Sequence, residues 1–161
     1  MRTLSALQLA LLVAFFGSLL AVFVPTFVRN LHASKLAEPI DGLHHIAQVA
    51  AMQAAGAPPE NAYPESVGRT PSAVPAGRAV VDPPGLWAHP TWRLLHFKKE
   101  GPHYFSFEFE SQSTKTGAHF VARAMGDLDG DGELSHFELY GEVLPGQSPH
   151  SFPVRIFREV E

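Results

Sequence analysis

The chain contains no cysteine. That excludes a disulfide framework, a zinc ribbon or finger, an iron–sulfur cluster and a thiol nucleophile. Charge is scarce as well: 17% of residues are charged and the net charge is −4. No Lys/Arg patch, Gly-rich phosphate loop or serine nucleophile elbow occurs. Nucleic acid is therefore not an indicated partner. Between Arg2 and Arg29 there is no charged side chain at all.

What stands there instead is a long apolar run. Twenty of the first 28 residues are apolar, and Leu4–Val28 is uninterrupted by charge. Twenty-five helical residues rise roughly 37 Å against a hydrocarbon core of ~30 Å. A cleaved secretory signal has a shorter apolar region and a small-residue cut site, and Phe23-Val24-Pro25-Thr26 offers none. A helix apolar all round is rarely a core helix in so small a chain. Residues 1–28 thus read as a transmembrane helix. Arg2 lies on one side of it and Arg29 and Lys35 on the other, so charge does not fix the orientation. The globular part follows the span, so the expected arrangement is N-terminus in, head out.

The pattern continues beyond the span. Leu31, Leu36, Ile40, Leu43, Ala47 and Ala50 recur every three to five residues. Asn30, His32, Ser34, Lys35, Asp41, His44, His45 and Gln48 fill the other face. Residues 29–55 therefore read as an amphipathic helical continuation. Pro25 and Pro39 should each kink or open the helix, and Pro39 equally suits the start of a second one.

Eleven of the thirty residues in 56–85 are Pro or Gly, and no apolar period survives there. This segment reads as a loop, partly extended, long for a structureless connection. Residues 86–161 read as a β head. Trp92–Phe97 is predicted as a strand. In His103–Glu110 strict alternation puts Phe105, Phe107 and Phe109 on one face and Ser106, Glu108 and Glu110 on the other. A polar turn at Ser111–Gly117 leads to a third strand, Ala118–Met125, with weaker strands at Leu139–Leu144 and Val154–Phe157. Short turns imply an antiparallel meander with one apolar face, and the amphipathic helix is its only candidate cover. The expected fold class is α+β, a long N-terminal helix packed on a small antiparallel sheet.

One motif carries chemistry. Asp127-Leu-Asp129-Gly-Asp131-Gly132-Glu133-Leu134-Ser135-His-Phe-Glu138 matches the calcium-loop pattern D-x-D-x-D-G-x5-E. Ca²⁺ takes six to eight oxygens. Asp127, Asp129 and Asp131 would supply carboxylates, Glu133 its carbonyl, Ser135 a direct or water-mediated contact, and Glu138 both carboxylate oxygens. Gly132 allows the sharp turn and Leu134 is the apolar anchor. The flanks do not suit a paired EF-hand, since Ala118–Met125 alternates like a strand and no second copy exists. Either a lone loop joins two strands, or a strand runs into one helical turn at Ser135–Tyr140. A small head without disulfides needs another staple, and a calcium ion at 127–138 would supply it. The nine histidines show no metal-ligand spacing, and Glu108 with Glu110 reads as an exposed strand face rather than an acid/base pair.

The N-terminal third resembles the first helix of type IV pilins and type II secretion pseudopilins. The likeness rests on Gly17, on Val24-Pro25-Thr26-Phe27, and on Arg29…Ala33-Ser34-Lys35…Ile40-Asp41…Leu43…Ile46-Ala47. That alignment puts Leu4 at the family's mature start and Gln8 at its fifth-position Glu. The head series Trp92…Leu95…Phe97, Tyr104-Phe105-Ser106-Phe107 and Phe120–Gly132 looks like certain pilin-like heads with an Asp-rich loop. Two departures stand out: Thr3 occupies the site where the family's peptidase cuts after Gly, and Gln8 carries no charge. The resemblance implies a non-enzymatic structural subunit, minor or non-major, of a pilus or secretion-type filament. Its partners would be other pilin-like subunits, the inner membrane and the assembly machinery. It would be a single-pass inner-membrane protein with a periplasmic head, extracellular once assembled. The alternative is a non-assembling, membrane-anchored calcium-binding periplasmic domain.

Overall fold

The structure, a computed structural model, describes residues 5–158, and the chain divides into two units after Leu36. One helix, α1, runs from Ala6 to Ala54 and contributes to both. Its assignment is unbroken through Pro25 and Pro39, so neither proline ends it and no second helix starts at Pro39.

In the first unit, Ala6–Phe27 is long and apolar enough to cross a membrane, and none of it is buried. Leu7, Phe16 and Val22 are largely exposed. The hydroxyls return to the helix's own backbone: Ser18 Oγ donates to the Phe15 carbonyl at 2.8 Å and Thr26 Oγ1 to that of Val22 at 2.9 Å. That is how hydroxyls are accommodated where no water is at hand.

In the second unit, α1 buries Leu43, Ile46, Ala47, Ala50 and Ala54 and leaves Asp41, His44, His45 and Gln48 exposed. Of the predicted apolar stripe, Leu31 lies outside the described side chains, Leu36 and Ile40 are half-buried, and Leu43, Ala47 and Ala50 lie on the buried face. It covers a six-stranded, wholly antiparallel sheet. The strands are β1 (Val67–Thr70), β2 (Phe105–Thr114), β3 (Gly117–Gly126), β4 (Ser135–Val143), β5 (His150–Ser151) and β6 (Arg155–Arg158). The order is β1-β2-β3-β4-β5, with β6 also on β4. The apolar side of the alternation is as expected: Phe105, Phe107 and Phe109 of β2, Phe120, Ala122 and Ala124 of β3, and Phe137 and Leu139 of β4 are all buried, but Ser106, expected on the opposite, polar face, is fully buried as well. Gly42 sets the approach of the helix, because a Cβ there would lie 2.6 Å from the Phe107 ring. The fold is α+β.

Three expectations need correction. Trp92–Phe97 is not a strand. Pro90–Leu94 forms a short helix, α2, with Pro90 in its first turn and His89 Nδ1 accepting from the Thr91 amide. The helix buries Trp92, and Leu95 just beyond it is buried too, three positions on. That is a helical spacing, disguised by the apolar cluster Trp92, Leu94, Leu95 and Phe97. The polar turn shrinks to Lys115-Thr116, because β2 and β3 stay paired out to Thr114 and Gly117. Finally, segment 56–85 is not without structure: it holds a 3₁₀ turn at Pro59–Asn61 and strand β1, which pairs with β2.

Candidate metal centre

The β3–β4 connection carries the acidic motif. Asp127 is 3% exposed, and Asp129 and Asp131 are exposed. One carboxylate oxygen from each lies within 4.8 Å of the others, a group that could hold a metal ion. The loop shapes itself with its own side chains. Asp127 Oδ1 accepts from the Gly130 amide at 2.7 Å and Oδ2 from the Gly132 amide at 3.1 Å. Asp129 Oδ1 accepts from the Asp131 amide and Asp131 Oδ1 from the Glu133 amide. Gly130 and Gly132 take φ of +83° and +90°, a region closed to most side chains. A second segment buttresses the loop: Ala76 bridges to Asp127, and the Gly77 amide donates to the Asp127 carbonyl at 2.8 Å. An all-oxygen donor set suits a hard cation.

Of the six residues assigned to the metal by sequence, the three aspartates bring carboxylate oxygens together. Glu133 is exposed in the loop, and Ser135 is buried as the first residue of β4. Glu138 lies further along β4, outside the aspartate group. Its Oε1 accepts from Arg123 Nε at 2.8 Å. The reason is register: the chain enters β4 at Ser135, opposite Gly126, rather than turning into a helix that would bring position 12 back to the loop. The reading with strands on both sides of the loop is the one found. Leu128, not only Leu134, supplies apolar anchoring, being 8% exposed against a half-buried Leu134.

Arg123 was not singled out by sequence. It sits opposite both Glu108 and Glu138 in the strand register. Its guanidinium pairs with Glu108, Glu110 and Glu138 at 3.3, 2.8 and 2.8 Å. Partial burial works against its charge, but bonds to Glu110 and Glu138 and the charge of Glu108 outweigh that and hold its pKa above the ordinary value. A single cross-strand cation thus bridges the three carboxylates of that strand face. A second pair is more deeply buried: His103 Nε2 lies 2.9 Å from Asp82 Oδ2, with side chains 2% and 6% exposed. Trp87 Nε1 donates to the same oxygen at 2.7 Å. Nothing local in the Pro-rich segment signals this pairing, since its partners lie 21 residues apart.

Among the residues assigned to assembly, Thr3 and Leu4 lie outside the described residues. Gln8 and Ser5 form a reciprocal cap on α1. The Ser5 amide donates to Gln8 Oε1 at 3.0 Å and the Gln8 amide to Ser5 Oγ at 3.3 Å. Gly17 has open space around its Cα, and Pro25 is exposed within the helix. No protein-family model matches this chain, and no curated protein or solved structure matches it.

Proposed function

We propose that this chain is a membrane-anchored, pilin-like structural subunit whose head is stapled by calcium. The observation that carries the reading is α1, one helix of 49 residues that is apolar with nothing buried over Ala6–Phe27 and amphipathic over its last turns. A bare helix of that kind suits two successive environments, the bilayer and a bundle of like helices. The sheet-and-helix head supports the same reading. Calcium is the ion of choice because Asp127, Asp129 and Asp131 offer only oxygen. The rest of the shell would come from loop carbonyls and water, with Glu138 committed to Arg123. In this reading the head faces the periplasm before assembly.

The reciprocal Ser5–Gln8 cap favours a second reading, a non-assembling anchor. It engages the side chain that filament subunits of this kind would use between neighbours. Mass spectrometry of the native N-terminus separates the two. A chain beginning at Leu4 and present in a sheared filament fraction supports assembly. An intact Met1 confined to the membrane fraction overturns it. For the metal, the melting temperature of the full chain in detergent should fall when EGTA replaces calcium, and Asp129→Ala should abolish that difference. An EGTA-insensitive melt removes the calcium claim.

A further inference from the structure

Outside the acidic loop, the second unit carries two adjoining cavities of about 440 and 380 Å³, both in the range of small-molecule sites. Trp87, Arg93 and Lys98 line both. The Trp87 indole is fixed: its N–H is held by Asp82, and its ring packs edge-on against Trp92 at 5.3 Å and Phe97 at 5.5 Å. Pro83, Pro84 and Ala88 complete the apolar wall of the larger cavity.

The ion pairs around this wall leave one cation without a partner among the described residues. Asp82 is consumed by His103 and Trp87. Glu100 is consumed by Lys98. Lys99 is held by Glu38 at 3.5 Å and lies 5.0 Å from the Phe107 ring centroid. Arg93, exposed in the last turn of α2, forms no ion pair among the described residues. The smaller cavity also has His96 in its wall, held at φ +49°, a left-handed backbone unusual for a residue with a side chain. This conformation caps α2: the His96 amide donates to the Arg93 carbonyl at 3.2 Å and the Phe97 amide to the Trp92 carbonyl at 2.9 Å, which fixes where the His96 backbone enters the cavity wall. An uncommitted guanidinium presents a fork of donors suited to a carboxylate or phosphate.

We propose that this double cavity binds a small organic anion, its apolar body against Trp87 and Pro83-Pro84 and its carboxylate or phosphate on Arg93. The site is independent of the calcium loop and of filament assembly. The test uses the full chain in a neutral maltoside detergent. Trp87 and Trp92 are the two tryptophans of the chain and both border the cavities, so their emission reads the site directly. Phenylacetate, phenyl phosphate, benzyl alcohol and inorganic phosphate are titrated separately. A saturable change with at least one aryl anion is expected, with binding at least tenfold weaker for benzyl alcohol and for inorganic phosphate. The tighter of the two aryl anions identifies the acidic group. Arg93→Gln should weaken binding at least tenfold while leaving the melting temperature within a degree or two. His96→Gly should raise the melting temperature and weaken binding about threefold, and unchanged affinity would strike His96 from the site. No saturable response to either aryl anion, equal binding by Arg93→Gln, or equal binding of inorganic phosphate would overturn the proposal.

Discussion

The two stretches of α1 share a helix and differ in everything that packing decides. Over Ala6–Phe27 large apolar side chains point in every direction and none is buried. Over Ala37–Ala54 one face is dry, with Leu43, Ile46 and Ala50 fully buried. Both stretches are helical and apolar-rich, so apolar count alone does not distinguish a helix meant for lipid from one meant for a sheet. The recurrence of Asp41, His44, His45 and Gln48 at helical spacing does. Where a polar residue returns each turn, the helix has one wet face and one dry one. Where none returns, it has no water-facing side at all.

The strongest way to break this comparison is to make the same cut in both stretches' surroundings. Phe107→Ala removes a fully buried ring under the second stretch and should cost about 3–5 kcal/mol of head stability. Phe16→Ala, at an exposed position of the first, should change head stability by less than about 0.5 kcal/mol. Guanidinium unfolding of the full chain in detergent, followed by tryptophan emission, reads both. Equal losses would mean that the first stretch is part of the head's core. Asp127→Ala comes next. It strips the acceptor from two loop amides and should cost about 2 kcal/mol by the same assay, with calcium no longer raising the midpoint. Gly42→Ala sharpens the comparison from the helix side. Its methyl would meet the Phe107 ring, and overpacking of about 1–3 kcal/mol outweighs a helix-propensity gain of about 1. The equivalent Gly17→Ala has open space and should leave the head unchanged.

The smallest effect has the opposite sign. Tyr63 is 8% exposed and its hydroxyl has no hydrogen-bond partner. Burial, then the neighbouring Glu142 and Tyr140, push its pKa from the ordinary 10.0 up to about 12. The folded chain therefore keeps a proton that the unfolded chain releases above pH 10. This contribution is fully present below pH 10 and is lost as pH rises through about 12. Tyr63→Phe should raise stability at neutral pH by about 1 kcal/mol, since an unpartnered buried hydroxyl is removed. It should also flatten the alkaline decline. Melts between pH 7 and 11.5 for both proteins, compared as a difference, give the answer. An identical decline would show that Tyr63 is not the group responsible.

Period carried most of what was legible. Period two in Phe105–Glu110 and Ala118–Met125 placed two central strands and their buried faces, and a period near 3.6 placed the helix that covers them. The acidic loop was legible because its spacing is local: three aspartates at alternate positions and glycines where the backbone must turn left-handed. Trp92–Phe97 was misread because its apolar residues, at 92, 94, 95 and 97, form too short a run to show a period. Pro90 was the signal that tipped it to helix. Strand β1 was invisible because Val-Gly-Arg-Thr has no alternation of its own, and it is a strand only because β2 offers it an edge.

The sequence by itself determined which segments are helix and sheet where a period runs long enough, that one stretch has no wet face, and that three carboxylates share one turn. Only the tertiary structure decided where Glu138 goes. The β3–β4 register sets it opposite Arg123 and away from the aspartates. The same holds for Asp82 and His103, for Gly42 against Phe107, and for the paired cavities beside Trp87. Local patterns are set by steric and solvation preferences acting over a few residues. Pairings between distant residues exist only once the chain has closed on itself, and the register of that closure is a property of the whole sheet.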